Sequence, residues 1–185
     1  MAWIRVVSAD EADDELRATL DHVASSRGKL SNILAVHSLH PKGLSAHMEL
    51  YLAIMFSASG LTREEREMIA VVVSAIDQCP YGILHHGKAL NHYWQDEERL
   101  ARFIEESRSV DVSPRMRAVL DYAILLTERP SGIEESDIAR LRDVGLSDEE
   151  ILSVNLVVSY FNFSNRVALG LGVEFSEDEL EGYKY

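Results

Sequence analysis

The chain has 185 residues, 46% hydrophobic and 26% charged, which predicts a single soluble globular domain. Its formal net charge of −13 argues against nucleic acid and anionic membranes as partners. The longest apolar run, IAVVVSAI at 69–76, is too short to span a membrane. The acidic N-terminal segment gives no signal-peptide pattern. One cysteine excludes an intrachain disulfide and favours a reducing compartment, so we expect a cytoplasmic protein.

In chain order, nearly every segment predicts an α-helix. Ser8 and Glu11 form a capping-box pattern that is expected to begin the first helix, and Gly28 is expected to end it. A second helix is predicted over about 44–59, ending at Gly60.

Two helix starts are clearly marked between residues 62 and 80. Thr62 and Glu65 form a second capping box, which predicts a helix over 62–78. Pro80 fits the first position of the next helix, which should run to about Trp94.

The run at 69–76 is the ambiguous part, because its β-branched residues are also typical of a buried strand. A strand leading into a cysteine would favour a thioredoxin or glutaredoxin fold. We favour a helix, because the capping box lies directly upstream and no other segment predicts a strand. The expected fold class is therefore all-α.

The C-terminal half continues the helical pattern. Ser113 and Pro114 predict a helix start, and a short helix is expected over 136–144. Ser147 and Glu150 form a third capping box, which opens the last long helix.

A weak internal repeat relates 61–87 to 146–172 without gaps, at an offset of 85 residues. We interpret it as two related helical hairpins within one domain, 1–185: a motif hairpin at 61–95 and a degenerate second hairpin at 146–172. The alternative, that two capped apolar helices look alike by composition, remains open.

The stretch QCPYGILHHG carries the candidate chemistry. Pro80 at the first helical position places Cys79 at the N-cap, where the helix dipole and unpaired amides favour the thiolate. We therefore expect a lowered pKa for the Cys79 thiol. Gly82 and His86 are four residues apart and share a helix face. If the two helices form a hairpin, the carboxylate of Glu67 can reach His86 and orient or protonate it.

The spacing of Glu67, Cys79, position 82 and His86 resembles the E-x11-C-x2-C-x3-H motif of alkylhydroperoxidase D, in the carboxymuconolactone decarboxylase-like superfamily. The segments FSASGLTREEREMIAVVVSA and YFNFSNRVALGLGVE and the HHG ending resemble its peroxidase-related branch, over roughly 28–174. The resemblance implies an all-α fold that assembles into trimers or hexamers. It also implies thiol-based reduction of hydroperoxides with a glutamate–histidine proton relay.

The chain departs from the motif at Gly82, where the family has its second cysteine. The resemblance implies that this missing thiol attacks the peroxide and that Cys79 holds the resolving position. Cys79 can still attack, but its sulfenic acid then needs an external thiol reductant. Replacing Gly82 with cysteine is expected to restore the pair without harm to the helix.

The neighbouring polar residues have both structural and functional interpretations. His85 is a candidate for contact with a ligand or a neighbouring subunit, or an exposed polar residue. Tyr81 is a candidate pocket wall, or a packing residue at the helix start. Asn162, Asn165 and Arg166 interrupt an apolar helix, and we favour structural roles for them.

No metal or cofactor is expected. Cys79, His85 and His86 would need a fourth zinc ligand that the sequence does not offer. The spacing of His37, His40, His47 and His92 is not that of metal ligands.

Three functions stay open from the sequence. The first is reduction of a small hydroperoxide at Cys79. The second is non-redox proton transfer of decarboxylase type on a small acid, using Glu67 and His86. The third is a non-catalytic homo-oligomer that has kept the fold.

Overall fold

The computed structural model describes residues 2–175, apart from the side chains of residues 26 and 27. Within this part of the chain every regular element is helical, which confirms the all-α prediction and excludes a strand over 69–76. The α-helices are α1 (Asp14–Arg27), α2 (Asn32–Ala35), α3 (Pro41–Phe56), α4 (Arg63–Ile76), α5 (Pro80–Trp94), α6 (Glu97–Glu105), α7 (Pro114–Glu128), α8 (Glu135–Asp143) and α9 (Asp148–Leu171).

The first helix begins later than predicted. Ser8 and Glu11 form a hydrogen-bonded turn, in which the Glu11 amide donates to the Ser8 carbonyl at 3.1 Å. The N-cap of α1 is Asp13, whose carboxylate accepts the Leu16 amide at 2.8 Å. An aspartate cap followed by an acidic first turn suits the positive end of the helix dipole better than the serine does.

Helix α3 begins and ends about three residues earlier than predicted. At its early end, the backbone and the following loop are bound by the side chain of Arg66. The buried Arg66 guanidinium donates to the carbonyls of Met55, at 2.7 Å, and Ser57, at 2.5 Å, and to the Ser59 hydroxyl, at 2.7 Å. Carbonyls bound to a guanidinium are satisfied without a further helical turn.

The described chain groups into two compact units. One contains the chain up to Ala53 and the segment from Arg166 onward, and the other contains Ile54–Asn165. The first unit has its own apolar cluster, from α1, α2, α3 and the turn before α1, made of Ala12, Leu16, Leu20, Val23, Leu34, Leu44 and Met48.

The second unit is built around α4, which packs against α5, α6 and α7. Thr62 and Glu65 form the predicted capping box at its start. Nine consecutive residues, from Arg66 to Ser74, are buried. A helix buried on all sides can carry β-branched residues that would otherwise favour a strand, because packing overrides their propensity.

Helices α4 and α5 form the predicted hairpin. The chain turns at Gln78, which has a positive φ of 52°, and Cys79 is the N-cap of α5 with Pro80 following. The Cys79 amide donates to the Ser74 carbonyl at 2.9 Å, which closes the turn. This hairpin brings the motif residues of both helices onto facing surfaces.

The prediction of a second hairpin at 146–172 is wrong, because these residues form the single helix α9. The physical reason lies at the aligned turn. Pro80 has no amide hydrogen and cannot continue the α4 hydrogen-bond ladder, whereas Asn165 aligns with it and keeps its amide. The Ser147–Glu150 capping box at the helix start is confirmed.

No helix within residues 2–175 is long and apolar enough to cross a membrane.

Candidate active site

Glu67 and His86 meet across the α4–α5 hairpin. The Nδ1 atom of His86 lies 2.7 Å from Oε2 of Glu67, and the Glu67 side chain is completely buried. An ionised carboxylate only accepts hydrogen bonds, so Nδ1 carries the hydrogen and donates it. This arrangement is the geometry of a carboxylate–imidazole proton relay. The Phe161 ring packs edge-on against His86, with 4.5 Å between the ring centroids.

Arg63 is a third member of this group, which the sequence analysis missed. Its Nε and Nη2 atoms lie 2.7 Å and 2.6 Å from Oε1 of Glu67. The signal that could have found it is its position four residues before Glu67 on one helix face. In the charged segment TREERE, however, such a pair looks like an ordinary surface contact.

The neighbouring imidazole and guanidinium groups keep Glu67 ionised. Burial by itself would raise the pKa of Glu67, but His86 and Arg63 outweigh it and hold that pKa below the usual glutamate value. The carboxylate therefore stays charged in a fully buried position.

Cys79 occupies the predicted N-cap but not the predicted chemical environment. Its side chain is buried and only 1% exposed, and burial raises the pKa of the thiol. The amides of Gly82 and Tyr81 act in the opposite direction, and the charge of Asp77 adds to the increase. The prediction of a lowered pKa is wrong, because removal from water outweighs the helix N-terminus.

The space beside Gly82 is filled. A Cβ atom added there would lie 2.6 Å from Oδ1 of Asn165 and 2.9 Å from Cβ of Ser74, and it would collide with the Ser74 hydroxyl. A cysteine at this position would therefore force Ser74 or Asn165 to move, a cost that helix propensity does not include. The motif spacing showed that a sulfur is missing, but not that other side chains occupy its place.

The side chains that fill this space form a buried polar network. The Ser74 hydroxyl donates to Oδ1 of Asn165 at 3.2 Å, and Nδ2 of Asn165 donates to Asp77 at 3.0 Å. Asn162 instead donates to the Thr127 hydroxyl at 3.0 Å. These contacts agree with structural roles for both asparagines.

The other candidate residues lie on α5 or outside this unit. The rings of Tyr81 and His85 stack with 4.3 Å between their centroids, and Tyr81 is buried. Arg166 belongs to the other compact unit. His37 and His47 also lie there, where Nδ1 of His47 is 3.3 Å from Nε2 of His37. Within residues 2–175, no group of three His, Cys, Asp or Glu side chains is arranged to hold a metal ion.

Two solved structures share this fold across almost the whole chain. An uncharacterised peroxidase-related protein from Ralstonia eutropha JMP134, with an alkylhydroperoxidase AhpD core, has a TM-score of 0.86 and 27% identity, covering 97% of this chain and 94% of the other. A peroxidase-related protein from Silicibacter sp. TM1040 has a TM-score of 0.85 and 29% identity, with the same coverage.

One curated relative is more distant and much longer. Sestrin-3 of Mus musculus is 23% identical over 177 residues, which cover 94% of this chain. The chain spans only 34% of the length of sestrin-3.

The family match falls on the hairpin that carries the site. Residues 41–125 match the carboxymuconolactone decarboxylase family and include Glu67, Cys79 and His86. Together with the shared fold, this match places residues 41–125 in the carboxymuconolactone decarboxylase family, within a chain that has an alkylhydroperoxidase D-like fold.

Proposed function

We propose that the chain reduces small hydroperoxides at Cys79, with Glu67 and His86 as the proton relay. The observation that carries the proposal is the 2.7 Å contact between His86 and Glu67, in a fold shared with peroxidase-related proteins. A buried thiol with a raised pKa is a weak nucleophile unless a base removes its proton during attack. The relay supplies such a base on the helix that Cys79 caps.

The cycle needs an external reductant. The Cys79 sulfur attacks the terminal peroxide oxygen, the O–O bond breaks, and the products are a sulfenic acid and an alcohol, or water from hydrogen peroxide. A small thiol then forms a mixed disulfide with Cys79 and releases water, and a second thiol restores Cys79 and leaves as a disulfide. Because this reductant is a thiol, we propose a reducing compartment, the cytoplasm.

Turnover should be slow and selective for small substrates. Cys79 precedes His86 by seven residues, about two helical turns or ~10 Å along α5, so the proton must travel through intervening water or side chains. The thiol is also buried. We therefore expect hydrogen peroxide to react faster than a bulky aromatic hydroperoxide.

The test measures hydroperoxide consumption with excess dithiothreitol. Cys79→Ser should abolish consumption, because the only sulfur able to form a sulfenic acid is lost. His86→Ala should lower the rate by about 100-fold or more, since general acid–base assistance contributes on that scale. A sulfenic-acid trap should label wild type after peroxide addition and should leave Cys79→Ser unlabelled.

Asn162→Ala serves as a control, because Asn162 follows Phe161, which packs against His86, but its own side chain bonds to Thr127. It should retain the wild-type rate. Equal consumption by wild type and Cys79→Ser would contradict thiol chemistry.

A second candidate function is proton transfer on a small acid without the thiol. The specific observation that favours it is that the relay is complete, while Cys79 is buried and the place of the second thiol is filled. In that case a screen of small carboxylic acids by thermal shift should find a stabilising ligand. Cys79→Ser should keep this stabilisation and His86→Ala should lose it. A protein that neither consumes peroxide nor binds such ligands would fit the non-catalytic alternative.

We also propose that the chain forms a homo-oligomer, a trimer or a hexamer. One face of α9 exposes apolar side chains at Leu152, Leu156 and Phe163, which are 58%, 42% and 45% exposed. Their spacing of four and seven residues places them on one stripe of the helix. Exposed apolar stripes of this kind are typical of protein interfaces.

Light scattering at micromolar concentration should give a mass of three or six chains for wild type. Glu substitutions at Leu152 and Phe163 together should lower this mass, because they place charge in the apolar contact. Leu50→Glu, at a residue of α3 with 45% exposure, is the matched control and should keep the wild-type mass. A monomeric wild type would refute the proposal.

A further inference from the structure

Arg63 and His86 bind different oxygens of the Glu67 carboxylate. Nε and Nη2 of Arg63 both lie against Oε1, at 2.7 Å and 2.6 Å, whereas Oε2 faces Nδ1 of His86 at 2.7 Å. Two converging bonds from one guanidinium fix the position of Oε1 and place a positive charge beside the carboxylate. The orientation of Oε2, and with it the imidazole ring, therefore depends on the Arg63 fork.

Helix stability does not explain an arginine at this place. Arg63 is the first residue of α4, where the helix dipole favours acidic rather than basic side chains. An arginine four residues before a glutamate is also the less favourable order for an intrahelical pair. The adjacent Glu64 and Glu65 follow the usual rule. The exception therefore suggests a role in the site rather than in the helix.

The pair is also removed from water, which makes it stronger and more directional than a surface pair. The Arg63 side chain is 15% exposed and the Glu67 side chain is not exposed. The guanidinium carbon of Arg63 lies 4.1 Å from the centre of the Phe56 ring, which covers its face. The fork is thus held between an aromatic ring and a buried carboxylate.

We propose that Arg63 is a positioning residue that acts through Glu67, holding the carboxylate ionised and oriented so that His86 presents Nε2 as the base. Arg63, from α4, and His86, from α5, both lower the pKa of this carboxyl group. If Arg63 were neutral, burial would favour the protonated carboxyl, which can donate a hydrogen bond to Nδ1. His86 would then carry its hydrogen on Nε2 and could not take a proton there. This inference rests on the proposed relay chemistry.

The experiment compares wild type, Arg63→Gln and Arg63→Lys, with Arg108→Gln as control. Arg108 is an exposed arginine that pairs with Asp121. Nitrogen-15 NMR of the imidazole reports the His86 tautomer, and infrared spectroscopy with labelled glutamate reports Glu67 protonation. Neither readout requires turnover. The third readout is the rate of hydroperoxide consumption as a function of pH.

We expect wild type and Arg108→Gln to hold the hydrogen on Nδ1, with Glu67 ionised. Arg63→Gln should show a protonated carboxyl signal at a pH where wild type shows none. It should also show a mixture of His86 tautomers and an activity loss of about 10- to 100-fold. Arg63→Lys should keep Glu67 ionised, but it should stay slower than wild type because an ammonium group cannot form the fork.

An activity loss in Arg63→Gln with an unchanged tautomer and an ionised Glu67 would overturn the proposal, since Arg63 would then be only structural. Should Arg63→Gln not fold, Arg63→Lys decides by the same spectra: a changed tautomer or an unchanged rate overturns the proposal. If wild type consumes no hydroperoxide, the proposed function fails, but the two spectroscopic readouts still test Arg63.

Discussion

Replacing Glu67 with alanine is expected to damage both stability and activity severely. The substitution leaves the Arg63 guanidinium and the His86 ring in a largely buried site without their carboxylate. Breaking a buried ion pair by removing one partner costs about 3–5 kcal/mol. The rate of hydroperoxide consumption should fall by about 100- to 10,000-fold, the range that general acid–base catalysis contributes.

The same variant should change how stability depends on pH. Because the folded protein holds the pKa of Glu67 below its unfolded value, ionised Glu67 contributes stability that is fully present above an unfolded pKa of about 4.3. That contribution is lost as the pH falls through the folded pKa. Chemical denaturation from pH 3 to pH 7 should therefore give a flatter acid limb for Glu67→Ala than for wild type.

Glu105→Ala is the control for this experiment, because Glu105 is an exposed glutamate at the end of α6. Its effect should stay within about 0.5 kcal/mol, as for most surface substitutions. A loss of less than about 1 kcal/mol in Glu67→Ala, together with an unchanged acid limb, would mean that the buried pair contributes no net stability.

The second large effect is expected at Gly82. Gly82→Ala adds one carbon against Asn165 and Ser74, and overpacking of this kind costs about 1–3 kcal/mol. Gly170→Ala is a matched control, because Gly170 also lies in a helix and no side-chain neighbour lies within 4 Å of an added Cβ. It should stabilise the protein by up to about 1 kcal/mol. Urea denaturation of the pair separates crowding from helix propensity.

The clash also decides whether a second thiol can be restored. Gly82→Cys alone should be destabilised and should gain no dithiol-dependent peroxide turnover. Combining it with Ser74→Gly removes the opposing Cβ and hydroxyl and leaves only the close contact with Asn165, so the double variant should recover part of the lost stability and gain turnover. If Gly82→Cys alone matches wild-type stability and turns over peroxide rapidly, the space beside Gly82 is not filled as described.

Local signals in the sequence were sufficient for most of the fold. The capping boxes at Thr62 and Ser147 and the proline at position 80 act through neighbouring backbone groups, so a short window of sequence contains the whole interaction. Ser8 misled because Asp13, five residues later, offers a better cap. The repeat misled because apolar patterns do not reveal whether a helix continues or turns.

In the candidate site too, local interactions could be predicted from the sequence and long-range ones could not. The spacing of Glu67 and His86 was enough to predict their contact once a hairpin was assumed. The Ser74–Asn165 bond joins residues 91 positions apart, and no local pattern indicates it. The pKa of Cys79 depends on the balance between a helix terminus and burial, and only the packed structure determines which effect is larger.

The burial of α4 determines from which side the proton relay can be reached. Because nine consecutive residues of this helix are buried, its backbone amides can exchange with solvent only when the surrounding helices separate. Glu67 therefore lies on a helix that opens rarely, while His86, on α5, remains partly in contact with water. Any molecule that exchanges protons with the relay must arrive at the His86 end, and local motions of α5, rather than of α4, would set how often it does so.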